Sequence, residues 1–68
     1  MPYTIEVERE DDGRWIAEVP ELAGVMVYGD DRASAVGKVQ ALARRVLAER
    51  LKRGEEVPEP LSVLFVAA

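Results

Sequence analysis

Apolar and polar side chains alternate from the start of the chain, with Tyr3, Ile5 and Val7 on one face and Thr4, Glu6 and Glu8 on the other. That period of two predicts a half-buried strand over 3–9. Glu10-Asp11-Asp12-Gly13 breaks the alternation with a polar run ending in glycine, the composition of a hairpin loop. Alternation then resumes. Trp15, Ala17 and Val19 share one face and Arg14, Ile16 and Glu18 the other, so a second strand is expected over 14–19. Ile16 is apolar on an otherwise charged face, either a lone exposed residue or part of an interface. Pro20 has no amide to donate and ends the strand, while Gly24 permits a tight re-entry. Val25 to Tyr28 reads as a third strand with apolar residues on both faces. A central place in the sheet, or cover by a second subunit, would explain that pattern.

From residue 31 the period changes to that of a helix. Val36, Val39, Ala43, Val46 and Leu47 form a stripe, widened by Ala35, Leu42 and Leu51, while Ser34, Lys38, Ala41, Arg45 and Lys52 lie opposite. Asp30 or Asp31 is placed to accept hydrogen bonds from the first free amides, and Gly54 supplies the stop, so the helix is expected over 31–53. Gly37 weakens it on the flank of the stripe. Arg50 falls near the stripe's centre, either because the helix outruns the sheet there or because a partner's acid pairs with it. Glu55 to Pro60 holds two prolines and reads as an extended linker, followed by a fourth strand over 61–66, again apolar on both faces. The expectation is a single α+β domain over 1–68 of order β-β-β-α-β, with one antiparallel-rich sheet packed on one long helix.

Composition narrows what such a domain can do. With 68 residues the chain is marginal as a monomer, and scaffolds of this size are usually stapled by a disulfide, a metal or another subunit. Cysteine and histidine are both absent, which removes disulfides, thiolate metal sites and imidazole acid–base chemistry together. Self-association, as a homodimer or higher homo-oligomer, is therefore expected. Ser34, Ser62, Thr4 and the tyrosines have no histidine base, so no catalytic residue is assigned. Glu10-Asp11-Asp12 lacks the ligand spacing of a calcium loop, and Gly24 and Gly29 do not make a phosphate loop, so neither metal nor cofactor is expected. No apolar run approaches the roughly 20 residues that span a bilayer, and the N-terminus does not read as a signal peptide, so a cytoplasmic location is expected.

The net charge of −4 hides a division. Residues 31–53 hold seven basic and two acidic side chains, +5, which leaves −9 for everything else. The acidic part suits a basic partner, or simply keeps the domain soluble. Trp15, Tyr3 and Tyr28 could in principle stack bases, but Trp15 and Tyr3 alternate in phase with the core. The basic outer face of the helix (Lys38, Arg45, Lys52) leaves weak nucleic-acid binding as an alternative.

Several of these segments, taken together and in order, resemble the N-terminal domain of the HicB antitoxin family. They are Tyr3-Thr4-Ile5-Glu6, the run from Asp12-Gly13-Arg14-Trp15 through Pro20-Glu21-Leu22-Ala23-Gly24, Gly29-Asp30-Asp31, and Gly54-Glu55-Glu56-Val57-Pro58-Glu59-Pro60. The resemblance covers nearly the whole chain. It departs from the family at Ala23-Gly24-Val25, where Pro-Gly-Cys is frequent, and at Asp31, where threonine or serine is common. It implies a HicB-like fold akin to a partial ribonuclease-H fold without its catalytic acids. It also implies that the chain neutralises a small basic HicA-type toxin that cleaves messenger RNA, acting by occlusion rather than chemistry. Relatives bind promoter DNA through a C-terminal segment, so direct DNA binding is not expected of a chain ending at Ala68. Partner contact is assigned to the acidic hairpin and the turn after the second strand: Glu8, Glu10, Asp11, Asp12, Trp15, Glu18, Glu21 and Leu22. A stand-alone homo-oligomer with no toxin partner is the alternative.

Overall fold

The computed structural model describes residues 3–54 and the backbone of 65–67. The elements are β1 (Tyr3–Arg9), β2 (Trp15–Glu18), β3 (Met26–Gly29), α1 (Arg32–Lys52) and β4 (Phe65–Ala67). They form one sheet in the order β3-β2-β1-β4, with the first two pairings antiparallel and β4 parallel to β1. The α+β, β-β-β-α-β reading therefore holds. The expected linker over 55–60 and the first four residues of the expected fourth strand lie outside the described residues.

Each turn is built from its local sequence. In the first hairpin the Glu10 amide donates to the Arg14 carbonyl (2.7 Å) and the Gly13 amide to the Glu10 carbonyl (3.0 Å). This places Gly13 at φ +90°, a conformation that glycine adopts without strain. The Asp12 carboxylate accepts from the Arg14 amide (3.0 Å) and from Arg14 Nε (2.8 Å), holding Arg14 in the turn, so β2 begins one residue later than expected. The β2–β3 connection is also compact. The Leu22 amide donates to the Val19 carbonyl, the Val25 amide to the Leu22 carbonyl, and the Val19 amide to the Val25 carbonyl.

The helix packs one stripe onto one face of the sheet. Ala35, Val39, Ala43 and Leu47 meet Ile5, Ala17, Val19, Leu22 and Val25 in the core. Asp31 is the N-cap, accepting from the Ser34 amide at 2.7 Å. At the other end the Gly54 amide donates to the Leu51 carbonyl. The sequence placed both caps. Leu51 remains 48% exposed and Arg50 half-buried, as expected for a helix that outruns the sheet. The core is thin, and its largest fully buried side chains are Ile5, Val19 and Val39.

The position of β3 excludes one of the two explanations offered for its apolar pattern. It is an edge strand, not a central one, and Met26 and Tyr28 stand 50% and 42% exposed on the sheet face away from the helix. Its last residue, Gly29, is buried where strand and helix start converge. A Cβ there would lie 2.5 Å from Ala35 N and 2.8 Å from Ala35 Cα. Backbone, not a flexible side chain, blocks that space. Gly29→Ala should therefore destabilise the fold by about 1–3 kcal/mol. Gly37→Ala, with nothing within 4 Å of the added atom, should stabilise it by up to about 1 kcal/mol. Urea unfolding of the two variants checks both signs, and equal effects would contradict the close approach.

Candidate functional site

The face of the sheet that the helix leaves open has a composition set by strand parity. Glu6 and Glu8 on β1 and Ile16 and Glu18 on β2 point to that side, and the registers Glu6↔Glu18 and Glu8↔Ile16 bring them into two rows. Ile16↔Tyr28 and Glu18↔Met26 extend those rows onto β3. With Glu10 at the hairpin, these residues line an open depression of about 440 Å³: Glu6, Val7, Glu8, Glu10, Ile16 and Glu18. Ile16 is half-buried at its floor. Among the described residues, no cation is seen paired with any of the four glutamates, and the nearby Arg14 is paired with Asp12. Directly opposed like charges such as Glu6 and Glu18 cost stability.

The predicted contact residues divide when placed on this surface. Glu8, Glu10 and Glu18 come together at the depression, and Asp11 is exposed at the hairpin tip beside it. Asp12 is occupied by Arg14, and these hydrogen bonds hold its carboxyl below the usual range. Arg14 in turn lies 4.4 Å from the centre of the Tyr28 ring, tying the hairpin to β3. Trp15 is half-buried on the helix side, packed against the core. Leu22 corrects the sequence reading, since at 3% exposure it is a core residue with no side chain to offer a partner. Glu6 lines the depression without having been singled out in the sequence, and Met26 and Tyr28 lie on the same sheet face beside it. Glu6 was available from the same alternation that exposed Glu8, whereas Met26 and Tyr28 needed the strand order.

Glu21 has a structural task instead. Antiparallel pairing of β1 with β2 would place residue 20 opposite Thr4, but Pro20 has already turned away. The Glu21 carboxylate takes the vacated place, accepting from the Thr4 amide with both oxygens at 3.2 and 3.1 Å. Burial pushes its carboxyl up, but hydrogen bonds from its own amide and that of Thr4 outweigh this, and the result is lowered.

The open acidic face defines the class, an α+β module presenting a shaped, charged surface around an apolar floor. In sequence the chain is 26% identical over 58 residues to UPF0150 protein Ta0767 of Thermoplasma acidophilum, covering 85% of this chain and 84% of that protein. No protein-family model and no solved structure matches it. Among the described residues no helix is long and apolar enough to cross a membrane.

The lowered Glu21 and Asp12 carboxyls set a sign for acid stability. A group whose folded value is depressed contributes stability above its unfolded value, about 4 for these carboxyls, and loses it as pH falls through the folded value. Glu21→Ala should therefore be less stable than the natural chain at pH 6, and the two urea midpoints should converge as pH falls below about 4. A gap independent of pH would remove the role given to the Glu21 carboxylate.

Proposed function

We propose that this chain is a HicB-like, antitoxin-type binding protein that engages a small basic HicA-type toxin at its open sheet face and blocks RNA access by contact alone. One observation carries the reading. Glu6, Glu8, Glu10 and Glu18 are gathered around Ile16 without a compensating cation among the described residues, and two of them are directly opposed. A surface that holds like charges together at a cost to its own stability is suited to a cationic partner, whose arginines and lysines would relieve the repulsion. Ile16 would provide the desolvated centre and the glutamates the charged rim, the usual division of labour at a protein interface. The similarity to a UPF0150 protein over most of both chains, and the family resemblance in the strand and turn segments, are consistent with this reading.

The basic layer lies elsewhere. Lys38, Arg45 and Lys52 are exposed on the helix, on the opposite side of the molecule. A cationic partner would therefore be steered to one face and repelled from the other, with a rate that falls as salt screens the field.

The test is titration calorimetry against a small basic protein encoded by any adjacent gene, using the natural chain and Glu8→Lys/Glu18→Lys. The natural chain should bind at micromolar concentration or tighter. The double variant should bind about 100-fold more weakly, from two charged contacts worth roughly tenfold each. No binding by the natural chain would overturn the proposal, and equal binding by both proteins would place the interface elsewhere.

A further inference from the structure

The outer edge of β3 differs from the rest of the surface. In the antiparallel sheet, alternate residues turn their amide and carbonyl to one neighbour and then to the other. The Val19 amide bonds the Val25 carbonyl, and the same register continues through Ala17↔Val27 and Trp15↔Gly29. Val25, Val27 and Gly29 therefore face β2, while the backbone groups of Met26 and Tyr28 point outward. Among the described residues no strand meets them. Exposed edges are normally blunted by a lysine, a proline or a bulge. Val25-Met26-Val27-Tyr28-Gly29 has neither charge nor proline, and its constant register leaves no bulge.

We infer that β3 pairs antiparallel with β3 of a second copy, with Met26 opposite the partner's Tyr28 and Val27 opposite the partner's Val27. Two four-stranded sheets then become one of eight strands. A two-fold axis through the Val27 pair makes the edge its own complement and closes the assembly at two copies. Each Met26 exchanges an amide and a carbonyl with the partner's Tyr28, giving four hydrogen bonds across the axis. The exposed Met26 side chain gains an aromatic neighbour on the open face.

Charge selects this arrangement and this occupant. Stacking two open faces would set Glu6, Glu8, Glu10 and Glu18 against their own copies, an arrangement that repulsion opposes. Edge pairing keeps those on β1 two strands from the axis and Glu18 one strand away. The edge residues carry no charge of their own, and the Arg14 guanidinium over Tyr28 is already engaged by Asp12, so a charged peptide finds little to bind there, whereas a second copy brings an edge of matching length and chemistry. It also enlarges a structure whose own core is small. The carboxylate depression stays open, so this pairing and the binding proposed above stand or fall separately.

Light scattering of the full chain at tens of micromolar should give twice the chain mass of 7.5 kDa. Amide exchange at Met26 and Tyr28 should quicken on dilution while that at Ala17 does not. Met26→Pro removes only an outward donor, which an edge strand tolerates. Losing that bond twice per dimer should weaken association about 30-fold. Met26→Lys/Tyr28→Lys should be monomeric with an unchanged circular-dichroism spectrum, and Lys38→Glu should remain dimeric. A monomeric natural chain, exchange at Met26 and Tyr28 independent of concentration, or a dimer that survives the double lysine variant would each overturn the inference.

Discussion

A single helix can cover only one face of a sheet, and most of this molecule follows from that limit. The helix runs 21 residues and offers one apolar stripe, so Ile5, Ala17, Val19 and Val25 are buried beneath it. Among the described residues nothing packs on the remaining face. Small residues bring the two layers close: Ala35 and Ala43 on the helix, Ala17 on β2, and Gly29 where the strand reaches the helix start. The same smallness limits the apolar area removed from water, which is the dominant favourable term in folding. Among the described residues the helix covers one side of the sheet thinly, and the other side carries the carboxylates.

The open face is not merely polar. Period-two alternation requires only that residues at positions 6, 8, 16 and 18 tolerate water, and mixed charges would meet that need at least cost. The sequence instead places glutamate at three of the four and isoleucine at the other. The few cationic groups nearby are engaged locally, as Arg14 is with Asp12 and Tyr28. Most basic side chains have been collected on the helix. A layered separation of charge is a property of the assembled fold, because the chain must cross from sheet to helix before the two signs are parted.

What the sequence disclosed and what it hid divide along the range of the interactions. Strand and helix identities rest on neighbours a few residues apart, and the caps at Asp31 and Gly54 are local hydrogen-bonding problems, so all were legible. Strand order is a long-range fact. The apolar pattern of 25–28 reads the same for a central strand as for an edge awaiting cover, and only the observed order β3-β2-β1-β4 separates the two. Leu22 sits in a short turn with no period to reveal its direction, and it proved to be core. Within the candidate site, Glu8, Glu10 and Glu18 followed from alternation and the hairpin, while Glu6 was passed over through emphasis on the hairpin tip.

Glu21 shows why a count of acidic residues cannot by itself map a binding surface. Sequence offers thirteen carboxylates of two kinds, and nothing local separates Glu21 from Glu18. The difference arises because Pro20 ends β2 one position before β1 stops needing a partner. The Thr4 amide would otherwise lack its protein acceptor, and a neighbouring carboxylate fills the gap. Glu18 belongs to the strand proper, its backbone already satisfied by the ladder, so its side chain is left for the surface. The same backbone arithmetic that commits the Glu21 carboxylate to Thr4 leaves the outer groups of Met26 and Tyr28 without a strand among the described residues. Satisfying main-chain donors and acceptors thus decides which side chains are structural and which are available.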